Sequence, residues 1–475
     1  MEKQGWSALL GGKNGIRFLT FTGGVMLHAT NIYIVVTILP SLMSEMNGSL
    51  YYSWVATVFI IASLLGTSLA TKVLEKIGPR KAYIISGLIF IVGTLICSIA
   101  STMPLFLIGR FIQGFGSGSL LSLSYSMIRI AFNPSVWSHA LSIISGMWGI
   151  STLLGPAIGG ICIYYGVWRA SFWVIEALAI VFWLITFKVL PKENKNDIPK
   201  SPLPLTQLII LTLLIFIISA GGAMDTTVAK VCGLVIGLSL LFVLAKIESF
   251  TLYPILPRHS FSFSSEFFPV YALILITTIT VYSMELYFPL FLQELHEQTP
   301  LIAGYIASLM SLGWTCGSLS SASISTKKVR RFIIYSPLLN LFCISILLWR
   351  VPTNTSTSED ILIICCSLFS IGISTGIAWP HLLKRILQCA KDEDALRASV
   401  SLTSVQLFSA ALSAALAGTI TNLAGLFNPG GVVGMILAAK TLLATLISLL
   451  FFLGIPFALR VSYRILKNPT GQSKS

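Results

Sequence analysis

Two carboxylates, Glu176 and Glu285, stand inside long apolar runs of the sequence. An acid in an apolar helix is costly to bury, so it is a candidate for binding or passing an ion. A carboxyl group withdrawn from water holds its proton more tightly, which suits proton exchange near physiological pH. Glu285 shares a helix face with Thr278 and Tyr271 at seven-residue spacing. Glu176 follows Arg169 by seven residues, and an ion pair with it is an equally good interpretation.

A cation lies in another apolar run, LFLIGRFIQGFGSGSLLSLSYS, which starts at Leu105. An unpaired guanidinium is expensive there, so Arg110 is expected to face a cavity, backbone carbonyls or a partner. Ser117 continues the same helix face at seven-residue spacing. We therefore expect Arg110 and Glu285 to face one central cavity, where the fixed positive charge acts on the proton affinity of the acid.

His28 and Asn31 share one face of the first apolar run. A lone histidine is more often a hydrogen-bonded structural residue, but beside a second polar side chain a role in proton transfer is equally plausible. His28 and Glu176 are the reserve candidates for proton coupling. The predicted substrate cavity consists of polar residues on four apolar runs: Asn31, Gln113, Ser117, Thr278, Gln406 and Ser409.

The composition explains why these polar residues stand out. Of the 475 residues, 55% are hydrophobic and 10% are charged, whereas a soluble domain has about 25% charged residues. Hydrocarbon must therefore surround most of the chain. The net charge of +14 is spread over short clusters between apolar runs, which argues against a nucleic-acid partner. The eight cysteines show no metal-ligand spacing, and we predict neither a metal nor a cofactor.

Fourteen runs are long enough to cross a bilayer, since a membrane-spanning helix needs about 20 apolar residues. Basic residues gather in the segments after spans two, six, ten and twelve and in the C-terminal tail, whereas the other side has mainly Arg169, Lys230 and Arg350. This asymmetry predicts both termini in the cytoplasm. The predicted spans are 18–40, 51–70, 82–101, 103–128, 139–164, 170–190, 205–222, 227–246, 267–292, 301–324, 332–350, 361–383, 396–424 and 432–459.

The spans divide into six, two and six. We expect a six-helix N-terminal half at 1–190, a linker with two extra transmembrane helices at 191–266, and a six-helix C-terminal half with a cytoplasmic tail at 267–475. The polar stretch Pro191–Pro204 begins the linker. GTSLATKVLEKIGPRK after span two is echoed by GSLSSASISTKKVRR after span ten, which indicates an internal repeat typical of secondary transporters.

Two further motifs predict conformational roles. GMWGISTLLGPAIGG in span five places small residues and a helix-bending proline together. Its motif residues are Gly146, Gly149, Gly155, Pro156, Gly159 and Gly160. The turn EKIGPRK after span two combines acid, glycine and base at the inner membrane face, where ion pairs and helix-end dipoles could latch neighbouring helices. The latch residues are Glu75, Gly78, Arg80 and Lys81.

These stretches resemble the major facilitator superfamily. GRFIQGFGSG is similar to its fourth-helix arginine motif, GMWGISTLLGPAIGG to its fifth-helix antiporter motif, and EKIGPRK to its loop motif between helices two and three. NIYIVVTILP, SWVATVF, VWRASFW and YFPLFLQELHEQTPLIAG resemble the fourteen-helix drug:proton antiporters of the EmrB/QacA type. Asn31 stands where many of these antiporters have an aspartate, so Glu285 takes the proton-carrying role by elimination.

The resemblance implies an all-α membrane protein with the major facilitator fold, two six-helix halves plus two central helices, in an inner or plasma membrane. It implies proton-coupled export of an amphipathic small molecule or drug, and it is not the pattern of an enzyme. The implied partners are a small-molecule substrate, protons and the lipid bilayer, with a periplasmic adaptor protein as a further one to test. An importer or facilitator of a metabolite or siderophore on the same fold stays open, as does, less favoured, a membrane-embedded enzyme.

Overall fold

The structure is a computed structural model that describes residues 12–131, 137–190, 204–251, 254–321, 326–353, 357–390 and 395–468. The described regular structure is entirely helical. Most of the polar stretch 191–204, which begins the predicted linker, lies outside these ranges. The helices are α1 Gly12–Met46, α2 Tyr52–Ile77, α3 Pro79–Ile99, α4 Met103–Ala131, α5 Trp137–Tyr164, α6 Arg169–Val189, α7 Leu205–Gly222, α8 Thr227–Phe250, α9 Phe267–Glu294, α10 Pro300–Ser321, α11 Thr326–Arg350, α12 Ser358–Cys389, α13 Ala395–Leu423, α14 Gly431–Leu449 and α15 Ile455–Lys467.

Each predicted span corresponds to one of these helices. A π-helical segment, Leu450–Gly454, joins α14 to α15, so the last predicted span continues into a further helix. Within the described residues, thirteen helical segments are long and apolar enough to cross a membrane. The exception is α4, because Arg110, Gln113 and several glycines and serines lower its hydropathy. The all-α membrane architecture predicted from the sequence is confirmed.

The chain forms two compact units, one of Met1–Gly48 and Val58–Leu203 and the other of Ser49–Thr57 and Pro204–Ser475. Unit 1 thus contains α1, most of α2 and α3–α6. Unit 2 contains α7–α15 and the first residues of α2. The two central helices α7 and α8 therefore pack with the C-terminal helices.

Inside unit 1, α2 and α4 approach each other through glycines. The Cβ position of Gly114 lies against the backbone of Phe59, and that of Gly118 against the backbone of Ser63. Thr67 of α2 donates a hydrogen bond to the Gly118 carbonyl at 3.0 Å. Such contacts allow two helix backbones to approach more closely than larger side chains would permit.

Unit 2 repeats this packing between α10 and α12. Gly372 lies against the backbone of Met310, Gly376 against that of Trp314, and Ser318 donates to the Gly376 carbonyl at 3.1 Å. Each α10 residue follows its α2 counterpart by 251 positions and each α12 residue its α4 counterpart by 258. The internal repeat that the sequence shows only faintly is therefore present in the helix packing.

A second helix pair repeats as well. In unit 1, Ser151 of α5 accepts from Thr30 at 2.9 Å and donates to the Met26 carbonyl of α1 at 3.3 Å. In unit 2, Ser413 of α13 contacts the Ser283 hydroxyl at 2.9 Å and donates to the Ile279 carbonyl at 3.1 Å. Helices α1 and α5 of unit 1 thus correspond to α9 and α13 of unit 2.

The inserted helices α7 and α8 are fixed to the end of α13. Lys230, in the first turn of α8, is buried and donates to the Asn422 carbonyl at 3.0 Å. The Asn422 amide donates to the Gly222 carbonyl of α7 at 3.0 Å, and Thr419 to the Ile218 carbonyl at 3.2 Å. The sequence analysis placed Lys230 in an outer loop; the structure instead makes it a buried cation at the negative end of the α13 dipole.

Candidate substrate and proton site

Arg110 forms the centre of a polar cluster within unit 1. Its side chain is 1% exposed, and Nη1 donates to Asn31 Oδ1 and to Gln113 Oε1, both at 2.6 Å. The Gln113 amide in turn donates to the Thr94 hydroxyl at 2.9 Å. The structure therefore brings together three predicted site residues from α1 and α4. Asn31 binds the guanidinium through a neutral amide and adds no negative charge.

An aromatic group borders this cluster. The Arg110 guanidinium carbon lies 4.0 Å from the centre of the Phe59 ring. The same ring stacks on His28 with 5.7 Å between ring centres, and Trp148 meets His28 edge-on at 5.8 Å. A cation over an aromatic face is stabilised by the ring quadrupole. Neither Phe59 nor Trp148 was predicted as a site residue. Aromatic residues are common in membrane helices, and the sequence gives no sign of which ones contact a buried polar group.

His28 occupies a defined position in this group. It is 2% exposed, and its Nδ1 lies 2.8 Å from the Ser117 hydroxyl. Two more predicted residues are thus neighbours, one on α1 and one on α4. The hydrogen bond fits the structural interpretation of His28, while its place beside Phe59, which also contacts Arg110, keeps it among the candidates for proton transfer.

Glu176 is isolated from this cluster. Glu176 is 6% exposed, and its Oε2 atom has no hydrogen-bond partner within the described part of the chain. The alternative ion pair with Arg169 is not formed, because Arg169 pairs with Glu45 and also donates to the Ala100 carbonyl at 2.9 Å. Trp168 donates to the same Glu45 carboxylate. A buried carboxyl oxygen without a partner is unusual, so Glu176 stays a candidate for the proton site.

Unit 2 holds the remaining predicted site residues. Glu285 is partly exposed, and its Oε1 accepts a hydrogen bond from Ser311 of α10 at 2.8 Å. Thr278 and Ser409 are buried, and neither hydroxyl has a hydrogen-bond partner among the described residues. Gln406 is partly exposed on α13. Unpaired buried hydroxyls are uncommon, and they suit a site that binds a polar group or water.

The glycine motif of α5 divides into two parts. A Cβ at Gly155 would press on Tyr33 and on the Ile34 nitrogen of α1, and one at Gly159 would lie 3.2 Å from the Ile34 carbonyl. Gly146 and Gly149, in contrast, meet nothing within 4 Å among the described residues. Gly160 is buried, and α5 continues through Pro156. The expected close contact with a neighbouring helix is therefore confined to the second half of the motif.

In the inner-loop latch, Arg80 connects two helices. Arg80 donates to the Phe187 carbonyl in the last turn of α6, where a cation also complements the helix dipole. Glu75 pairs with Lys72 on its own helix at 3.0 Å. Gly78 begins α3 with a φ of 80°, a conformation that glycine adopts at little cost. Lys81 is exposed.

Comparisons with known proteins agree with this architecture. The Major Facilitator Superfamily model matches residues 21–418. A protein of Mycobacterium tuberculosis named as a probable multidrug-efflux transporter is 28% identical over 432 residues, which cover 89% of this chain and 91% of that one. Multidrug resistance protein 3 of Bacillus subtilis is 24% identical over 74% of this chain and 70% of its own length.

Solved structures show the same fold at low sequence identity. A bacterial homolog of the human lysosomal transporter Spinster gives a TM-score of 0.67 at 14% identity, covering 96% of this chain and 98% of that one. The nucleoside transporter NupG gives 0.64 at 11% identity, covering 96% and 99%. The family match over most of the chain, the helical repeat and the buried Arg110 cluster lead to one conclusion: this chain is a transporter of the major facilitator superfamily.

Proposed function

We propose that this transporter is a proton-coupled antiporter that exports amphipathic small molecules by alternating access. The observation that carries the proposal is its 28% identity, over nine-tenths of both chains, to the mycobacterial protein named as a probable multidrug-efflux transporter. The intramembrane carboxylates and the buried Arg110 cluster support coupling to protons. The cluster also joins aromatic rings to hydrogen-bonding groups, and an amphipathic substrate needs both.

Glu285 is the proposed proton carrier. It is the more accessible of the two intramembrane carboxylates, and Ser311 gives it a neutral hydrogen-bond donor. Accessibility matters because a carrier must take up and release its proton in every cycle. Glu176 is the alternative carrier, since its buried carboxyl group lacks a partner for Oε2. In this proposal Arg110 supplies a fixed positive charge, which Asn31 and Gln113 hold in place within unit 1.

The alternative is import or facilitated passage of a metabolite on the same fold. The observation in its favour is Asn31, which contacts Arg110 with a neutral amide where many resembling antiporters have an aspartate. An Asn31→Asp variant separates the two functions. If Asn31 marks a carrier without proton coupling, the acid should create a new pH dependence, whereas in an antiporter that uses Glu285 it should weaken an existing one.

Reconstitution tests the proposed function directly. Purified protein in liposomes with an internal pH dye is supplied with a panel of amphipathic cations, neutral drugs and metabolites. For an antiporter, substrate addition on one side must move protons in the opposite direction, and an imposed proton gradient must drive substrate uphill. Substrate movement that never exceeds equilibrium and never changes internal pH contradicts antiport and supports a facilitator.

Arg110→Lys is expected to reduce transport at least about tenfold while the protein still inserts. Lysine keeps one charge but lacks the planar guanidinium that lies 4.0 Å from the Phe59 ring centre and binds two amide oxygens. Initial rates of transport in proteoliposomes, normalised to protein content, measure the effect. Gln113→Glu keeps an acceptor oxygen for Arg110 and serves as the comparison. Full activity of Arg110→Lys would show that transport does not require a guanidinium group at this position.

The proposed orientation places both termini in the cytoplasm. Within the predicted outer loops, Thr355 lies outside the described residues and Gly48 is buried against Met103, and in the predicted inner linker Lys195 also lies outside them. Exposed serines are better sites for single cysteines. In a cysteine-free background, Ser44→Cys and Ser358→Cys should react with an impermeant maleimide on intact cells, and Ser264→Cys only after lysis. The reverse pattern would invert the topology.

A further inference from the structure

Helix α15 packs against one end of unit 2. Its buried face, Ala458, Val461 and Ile465, belongs to a core that includes the beginnings of α9 and α11 and the end of α12. Arg330 of α11 contacts Ser462 at 3.4 Å, and Arg385 of α12 donates to the Asn468 carbonyl at 2.7 Å. The helix is therefore a fixed part of the unit and not a loose tail.

The opposite face of α15 is apolar and exposed. Leu459, Tyr463 and Leu466 follow one another at helical spacing and are 50%, 63% and 56% exposed. The stripe continues from Phe451 and Phe452 of the π-helical segment, which are also exposed. The 19 residues of α14 and the five of the π-helical segment span about 36 Å at roughly 1.5 Å per residue. Since the hydrocarbon layer is about 30 Å thick, this length is sufficient to cross it, and α15 begins in the headgroup region.

The same end of unit 2 is strongly basic. In the segments 254–268, 328–335, 380–390 and 455–468 the only acid is Glu266, which pairs with Arg385 at 2.9 Å. Asp392, Glu393 and Asp394 follow shortly after in the sequence, and Glu248 accepts a hydrogen bond from the Leu256 backbone nitrogen at 2.6 Å. The cations of these segments are Arg258, Lys328, Arg330, Arg331, Lys384, Arg385, Arg460, Arg464 and Lys467. The helix ends on the far side of the unit have the reverse balance, with Lys230 and Arg350 against the acids Asp225, Glu294, Glu297, Glu359 and Asp360.

Not all of these cations are available to a ligand. Arg460 and Arg464 donate to backbone carbonyls between Phe263 and Ser265. Four others are exposed and have no hydrogen-bond partner within the described ranges. These are Lys328, Arg331, Lys384 and Lys467. Each lies within two residues of a core position in the helix ends that pack around α15, so they add exposed positive charge to this end of the unit.

We propose that this end of unit 2 binds anionic phospholipid. The headgroup phosphate is held by the four exposed cations, and the acyl chain lies along Leu459, Tyr463 and Leu466. Positive charge beside an apolar surface at headgroup depth fits a lipid with a negative headgroup. A free phosphate would use the cations but not the stripe. The continuity of the stripe with the exposed π-helical phenylalanines favours lipid over an acidic protein.

Native mass spectrometry of the detergent-purified full chain tests the proposal. Phosphatidylglycerol and phosphatidylcholine with identical acyl chains are the probes, and Lys384→Gln/Lys467→Gln is the test variant. Wild type should bind phosphatidylglycerol more tightly than phosphatidylcholine. The double variant should bind phosphatidylglycerol about thirtyfold more weakly at low salt, with a smaller difference at high salt. Phosphatidylcholine binding should not change.

The matched control is Lys188→Gln/Lys246→Gln, which also removes two exposed cations, one from α6 and one from α8. An equal loss in this control would show general electrostatic attraction and overturn the site. Leu459→Ser/Leu466→Ser removes the stripe without changing charge, and unchanged lipid affinity in this variant would also overturn it. Glycerol phosphate and inorganic phosphate complete the test. Competition by either at the lipid's own concentration would assign a free-anion site in place of a lipid site.

Discussion

Glu285→Gln is expected to abolish proton-driven accumulation of substrate and to leave substrate exchange in place. Glutamine keeps the oxygen that accepts the hydrogen bond from Ser311 at 2.8 Å, so the local geometry is retained. It cannot take up or release a proton, so a proton gradient can no longer drive substrate transport. The accumulation ratio in proteoliposomes should fall from a value set by the gradient to about one, while counterflow exchange without a gradient continues.

Two comparisons make this result specific to Glu285. Glu176→Gln is the same substitution on the other intramembrane carboxylate, and it should leave the accumulation ratio close to that of wild type. Ser311→Ala removes the hydrogen bond but keeps the acid, so coupling should survive. If Glu285→Gln still accumulates substrate with an unchanged pH dependence while Glu176→Gln does not, the proton carrier is Glu176. If both variants accumulate substrate normally, a coupling that does not use these carboxylates has to be considered.

Gly155→Leu is expected to stop transport while the protein still inserts in the membrane. The first side-chain carbon alone would lie within 3.0 Å of backbone atoms of Tyr33 and Ile34, so α1 must move away from α5. Overpacking of this kind costs about 1–3 kcal/mol, and the displaced α1 carries Asn31 and His28 of the polar cluster. Transport rates and the thermal unfolding temperature of the purified variant measure the two effects separately.

Gly146→Leu is the contrasting variant, because nothing lies within 4 Å of a Cβ there among the described residues. If close packing on α1 explains the motif, Gly155→Leu loses transport and Gly146→Leu retains it. Gly159→Leu should resemble Gly155→Leu, though more mildly, since its nearest contacts are at 3.1 and 3.2 Å. Normal transport by Gly155→Leu would show that the contact is not needed, and equal loss in Gly146→Leu would show that α5 meets another surface during the cycle.

The sequence by itself determined the helices. Span seven was predicted at 205–222 and α7 is Leu205–Gly222, while span four was predicted at 103–128 and α4 is Met103–Ala131. This succeeds because the solvent is hydrocarbon: every backbone polar group must be bonded within its own helix, so an apolar run of sufficient length has essentially one available structure. The same argument identified Arg110, Glu176 and Glu285 as candidate functional residues, because burying an ionisable group in hydrocarbon is costly.

Only the tertiary structure decided which of these groups meet. Arg169 pairs with Glu45, 124 positions away, and leaves Glu176 without an ion pair. Phe59 lies under Arg110, Lys230 reaches the end of α13, and Gly155 packs on α1 where Gly146 does not. Helical periodicity assigns a residue to a face of its own helix, but the neighbour of that face depends on how several helices pack together. Pairing of buried charges is therefore a property of the folded unit, whereas the presence of the charges is a property of the chain.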